Sequence, residues 1–234
     1  MKTPLIKTFY NFLIGNFGKE FLKEYQTIVK LDYKNNSNLK VLDFTDNVVK
    51  GSNTYSIFLT NEILSKEGLR TATPSDVSKI TNKDENFLRG NYLDLGLVLR
   101  TENNPNEYLA KQLGKQAKER GYKFSNENPL VFKASDLELI LDGNSKSGLG
   151  FKIKESANPF NAPELNHKEN GKKFNKTNEN GIPIFDKNGN RILYTREEGL
   201  SGLVLFGNLD LNSVCNNFVN SYVDGLIVVV KEGE

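Results

Sequence analysis

EGLSGLVLFGNLDLNSVCNNFVNSYVDGLIVVVKEGE, residues 198–234, mixes two kinds of position. Leu203, Leu205, Leu209, Leu211, Phe218 and the run Ile227 to Val230 suit a buried sheet. Between them stand Val204, Phe206, Asn208, Asp210, Asn212, Val214, Cys215, Asn216, Asn217, Val219, Tyr222 and Asp224, which share no chemistry. From Leu203 to Val214 a period of two puts the leucines on one face and this miscellany on the other. Beyond Val214 the alternation breaks, as in a loop. A solvent face normally carries Lys, Glu and Thr, yet no Lys or Arg stands between Arg196 and Lys231. Val, Phe, Cys and Tyr among asparagines make a face that resembles a paratope more than an ordinary surface.

This C-terminal segment resembles the variable region of the target proteins of diversity-generating retroelements, most closely those of archaeal type, which carry a C-type-lectin fold. In that family, reverse transcription that miscopies template adenines randomises chosen codons, many of them Asn codons, at the 3′ end of the gene. Gly225-Leu226-Ile227-Val228-Val229-Val230 is similar to the family's closing strand, with Leu226 where Arg is common. Upstream, Leu69-Arg70-Thr71-Ala72-Thr73-Pro74-Ser75-Asp76-Val77 is similar to the R-L-P-T-x-x-E helix start of the formylglycine-generating-enzyme branch. The family often places Trp around its variable region, and this chain has none. The resemblance implies a scaffold of constant residues with a variable region at about 200–230 that binds a protein or glycan ligand on a cell or virus surface. It implies no cofactor. The enzymes of that branch need a cysteine pair for their metal, so the single Cys215 excludes that activity even on a shared fold.

Outward from this segment, the 234 residues allow one large domain or two small ones. Helical spacing of Leu5, Phe9, Phe12 and Leu13, then Phe17, Phe21, Leu22 and Tyr25, predicts two short helices broken near Gly15-Asn16. Residues 1–38 then form an N-terminal helical segment packed on a main domain of residues 39–234. Val41 to Phe44, Tyr55 to Leu59, Tyr92 to Leu99, Leu130 to Lys133 and Gly150 to Lys154 read as strands, and Ser135 to Asp142 as strand or helix. Thr73-Pro74-x-Asp76 starts a short helix, with a cap, a proline at the first helical position and an acid at the third. Asn104-Pro105 precedes a helix with Tyr108, Leu109, Gln112, Leu113 and Ala117 in register, stopped by Gly121. Residues 155–181 are polar and weakly patterned, a functional or flexible stretch. Asn188-Gly189 predicts a hairpin between Ile182–Phe185 and Arg191–Tyr194, with Pro183 placing the first strand at an edge. Pattern alone gives an α+β protein. The resemblance narrows this to a C-type-lectin-like fold with two or three helices, short antiparallel strands and long irregular loops.

Chemistry is sparse. His167 is the single histidine and lies in the polar Asn166-His167-Lys168-Glu169, where it reads as an exposed loop residue rather than a catalytic base. Asp186, Asn188, Asn190 and Glu197 imitate positions of a calcium loop, but Arg191 stands where the sharp turn needs glycine, so no metal site is read. Asp142 to Gly150 has glycines without the spacing of a phosphate-binding loop. One cysteine excludes a disulfide framework. Net charge is +2 with charges interspersed, which leaves no footprint for nucleic acid, and no apolar run is long enough to span a membrane. No secretory signal is read at the N-terminus, and localisation stays open between a cell surface, a virion and the cell interior. The expectation is a non-enzymatic ligand-binding protein whose C-terminal surface is hypervariable. The alternative is a structural or assembly protein that uses its C-terminal strands as a subunit interface.

Overall fold

A computed structural model of the chain describes residues 10–231. Tyr10–Phe12 is strand β1, followed by helix α1, Gly15–Leu31, which buries Phe21, Leu22, Tyr25 and Val29 along one stripe. This is the second of the two helices expected. Leu5 and Phe9 lie outside the described residues, and Phe12 is drawn into a strand because β1 pairs with the valines at the other end of the chain. Strands β2, Asp43–Thr45, and β3, Val48–Lys50, form a small antiparallel hairpin. Helix α2, Thr54–Ser65, occupies the segment expected as the strand Tyr55 to Leu59. Asn53 caps it reciprocally with Ser56, and all but two of its residues are buried, so no apolar stripe marks it as a helix. Strand β4, Leu69–Thr71, then leads to helix α3, Pro74–Thr81, whose Thr73–Asp76 capping box matches the sequence reading.

Strand β5, Leu93–Leu99, and helix α4, Glu107–Glu119, lie where expected; α4 buries Leu109, Ala110, Leu113, Gly114 and Ala117. After β6, Leu130–Lys133, the ambiguous segment resolves as strand β7, Leu137–Leu141, paired with β8, Leu149–Ile153. Residues 155–181 are not structureless. They contain β9, Phe160–Asn161, two single 3-10 turns and β10, Lys173–Thr177, and they bury Leu165 and Phe174.

The expected Asn188-Gly189 hairpin is absent among the described residues. Strands β11, Pro183–Phe185, and β12, Arg191–Tyr194, flank β10 on opposite sides, with β11 at the sheet edge as Pro183 required. The 186–190 turn crosses β10 so closely that a Cβ on Gly189 would lie 2.5 Å from the Phe174 backbone nitrogen. The strand that pairs with β11 was hidden in a polar segment.

The chain is an α+β protein with four α-helices among its described residues. Strands β13, Leu200–Leu205, β14, Leu211–Cys215, and β15, Val228–Lys231, carry the C-terminal segment. An eight-stranded mixed sheet runs β11-β10-β12-β14-β13-β5-β6-β9, with only β12 and β14 parallel. A three-stranded sheet runs β1-β15-β4. The central pair, β5 and β13, is covered on both faces. Leu97, Leu99 and Leu200 face the core built by α1, α2 and α4, while Leu93, Leu95, Val98, Leu203 and Leu205 join a second core with α3 and β10. A bulge at Leu95 shifts the register between Leu203 and Val204 and lets Leu95 and Val98 share a face.

Arg100, directly after β5, is fully buried and has no carboxylate partner among the described residues. Its guanidinium donates to the Leu165 carbonyl at 3.0 Å, to Ser201 Oγ at 2.9 Å, and to Thr195 Oγ1 and Ser213 Oγ, both at 2.7 Å. Burial, and then the charge of Arg196, lower its pKa to about 9, which leaves it cationic at neutral pH. Arg100→Ala would strand these acceptors in the core and lower the unfolding free energy by about 3–5 kcal/mol. Urea denaturation reads this directly, and an unchanged midpoint would show that the cluster contributes nothing to stability.

Candidate functional site

The twelve residues singled out at the C-terminal end do not all reach the surface. Phe206, Asn208, Val214, Asn216, Asn217, Val219, Tyr222 and Asp224 are exposed, and Asn212 and Cys215 are half-buried. Two are corrections. Val204 is only 5% exposed, because the face it shares with Gly202 is covered rather than solvated. The start of α2 sits there, with Thr54 Oγ1 3.0 Å from where a Gly202 Cβ would be. Asp210, 4% exposed, is a turn anchor. Its Oδ1 accepts from the Ile192 backbone N–H at 2.6 Å, and its Oδ2 from the Asn208 side-chain amide at 2.6 Å. Leu209, expected in the core, is half-buried and takes a left-handed conformation, φ +66°, in the same turn.

All the exposed members but Val214 fall in two places. The β13–β14 turn (Phe206, Asn208) and the end of the long loop before β15 (Tyr222, Asp224) border an open trough of about 840 Å³, with Asn212 between them. Asn216, Asn217 and Val219 line a second concavity of about 740 Å³ against Asn104, Tyr108 and Ser147. The trough also receives Gly90, Asn91, Tyr92 and Tyr194, which sequence reasoning did not select. Tyr92 and Tyr194 sit in or beside strands, and nothing in their local pattern separates a strand tyrosine facing a trough from one facing the core. Val223, 87% exposed, was also missed within the segment itself.

A framework beneath the loop holds it. The Tyr92 hydroxyl donates to the Ser52 carbonyl at 2.6 Å and accepts from the Tyr222 N–H at 3.1 Å. The Tyr92 backbone receives a hydrogen bond from Leu226 and gives one to the Asp224 carbonyl. Gly225 is required at this crossing, since a Cβ would lie 2.7 Å from the Ser52 nitrogen and 2.8 Å from the Tyr92 hydroxyl. Ser221 Oγ accepts from the Ser52 N–H. Burial pushes the Tyr92 pKa up to about 12, so it serves as a neutral hydrogen-bonding post.

Below this post Asp94 is buried and accepts a hydrogen bond from Ser52 Oγ at 2.6 Å. Burial raises its pKa to about 6, against the smaller opposing effect of the Ser52 hydroxyl. Burial, and then the Asp94 charge, also raise the pKa of the Cys215 thiol, which disfavours the nucleophilic thiolate. His167 lies exposed on a 3-10 turn away from both concavities. Among the described residues no group of three His, Cys, Asp or Glu is placed to hold a metal ion. Likewise, no helix among them is long and apolar enough to cross a membrane.

Compared with known proteins, the chain matches no family model, no curated protein and no solved structure.

Asp94 makes stability depend on pH. The folded carboxyl keeps its proton up to pH about 6, whereas an unfolded aspartate loses it near 4. Its contribution is therefore full below pH about 4 and is lost as pH rises through about 6. Asp94→Asn keeps an acceptor for Ser52 and removes the charge. The variant should gain on the order of 2 kcal/mol over the parent between pH 4 and pH 7.5. Parallel pH-dependent stability curves for the two proteins would contradict this.

Proposed function

We propose that the chain is a non-enzymatic ligand-binding protein whose C-terminal surface residues are diversified by a retroelement on a constant scaffold of C-type-lectin type. The observation that carries this reading is a division of labour within one segment. Leu203, Leu205, Leu211 and Phe218 are buried, while eight of the twelve intervening candidates are exposed and most of these border two concavities. All of the exposed ones but Val214, which lies in β14, sit on a turn and a loop whose shape is set chiefly by Asp210, Tyr92, Ser52 and Gly225, outside the exposed set. Most of their side chains can then change without disturbing what holds the backbone, although Asn208 bonds Asp210 and Asn217 accepts from the Val219 N–H. The pairing of β15 with β1 also supports the reading, since it places the valine run as a strand that joins the two ends of the described chain.

The assembly reading draws less support. β14 lies between β12 and β13, and β15 between β1 and β4, so neither offers a free edge to a neighbouring subunit.

Substitutions separate framework from binding face. Phe206, 41% exposed, and Tyr222, 64% exposed, should tolerate Ala within about 0.5 kcal/mol of stability. Leu203→Ala or Leu205→Ala should cost about 2–5 kcal/mol. A displayed library randomised at Phe206, Asn208, Asn212, Val214, Asn216, Asn217, Val219, Tyr222 and Asp224 should stay largely protease-resistant and yield binders to chosen protein targets. Loss of protease resistance in most members would sink the proposal.

A further inference from the structure

The trough has a chemistry of its own, which deepens the ligand-binding reading and rests on it. Four aromatic rings border it: Tyr92, Tyr194, Phe206 and Tyr222. Tyr92 and Tyr222 meet edge to face, with ring centroids 6.2 Å apart and planes at 82°, and so form a corner. The negative faces of aromatic rings attract cations. Among the described residues no Lys or Arg borders the trough, and none occurs in the chain between Arg196 and Lys231.

The acidic groups are not equivalent. Asp210 is occupied by Ile192 and Asn208 and lies beside Arg191. Arg191 is itself engaged, with its guanidinium 4.4 Å from the centre of the Phe174 ring and donating to the Leu209 carbonyl. Asp224 differs. Its carboxylate is exposed at the trough wall, close enough to Tyr92 to act on it electrostatically, and has no hydrogen-bond or ion-pair partner among the described residues. A free carboxylate, four rings and the amide of Asn212 thus line an open concavity that holds no cation from among the described residues.

We propose that this trough accepts the guanidinium of an arginine presented on the surface of a protein partner. Arginine fits better than lysine because its planar head stacks on a ring while its edge donates in a fork to a carboxylate. A side chain on a protein suits the open shape, which gives a ligand walls on some sides and leaves room for the surface that carries it. Two rings, Tyr92 and Tyr194, stand outside the C-terminal segment and would persist in every diversified version. Asp224, Phe206 and Tyr222 would set the preference of this particular chain.

The test is a titration of the protein, followed by NMR of the Tyr194, Phe206 and Tyr222 rings, with a capped peptide carrying two arginines. The same peptide with citrulline, the neutral isostere, and with glutamate serve as controls. The expected result is saturable movement of these ring signals by the arginine peptide, with affinity about tenfold above that of the citrulline peptide. Asp224→Asn should bring the arginine peptide down to the citrulline level while leaving the melting temperature in place. Equal affinity for arginine and citrulline would overturn the charge recognition yet leave ligand binding at this face standing. Rings unmoved by the arginine peptide would overturn the site itself, and the diversified-binder reading would then stand or fall on the tolerance of the randomised library.

Discussion

A guanidinium sealed inside a sheet must be solvated by the protein, and Arg100 is solvated by four separate segments of this one. The 3-10 turn at Pro163–Leu165 offers a carbonyl, the bend at Thr195 a hydroxyl, and β13 and β14 one serine each. Without a carboxylate to neutralise it, the charge depends wholly on these groups, and each is useful only in one position. The interaction therefore fixes how β14 lies against β13 and how the 155–181 segment packs on the sheet. Ser201 reinforces this by donating to the Ser213 carbonyl across the strands at 2.7 Å. None of these groups faces the trough.

That arrangement would let one short segment carry both the framework and the proposed variation. In β13 the strand is buried on both faces, so the period of two that suggested an outward Val204 describes two interiors instead. Outward positions begin at Phe206, where the chain leaves β13, at Val214, where the β13–β14 register shifts, and again past Cys215. Asp210 and Tyr92 then fulfil for the turn and the loop what Arg100 fulfils for the strands: each holds backbone in place with a buried polar group. The proposed cation preference follows from the same division, because the rings come partly from the framework and the free carboxylate from the loop.

Much of this was readable in the sequence where local pattern and tertiary role agree. Helix α3 showed its capping box, α4 its apolar stripe and β5 its continuous apolar run. The segment at Thr54–Ser65 misled because it is buried nearly all round, polar residues included, which erases the helical period; the signal that survived was its cap, Asn53-x-x-Ser56. Polar β10 misled for the opposite reason, having one buried side chain, Phe174, and a strand's hydrogen bonds on both sides. At the candidate site, alternation drew attention to the segment but misread which of its positions are exposed. Inward hydroxyls at Ser201 and Ser213, amid leucines, hinted at a buried polar partner, but only the fold reveals that it is Arg100. Tyr92 and Tyr194 were out of reach, since their meeting with Phe206 and Tyr222 is a property of the sheet order alone.

The central claim is that variation in this chain is confined to side chains the framework does not need. Deep sequencing of the 3′ end of the gene across a natural population of its source tests it most directly. The account predicts substitutions clustered in the codons for about residues 206–224 that spare Leu205, Asp210, Leu211, Ser213 and Phe218 and trace to adenines in a nearby near-identical repeat. Uniform, mostly silent variation with no such repeat would contradict it.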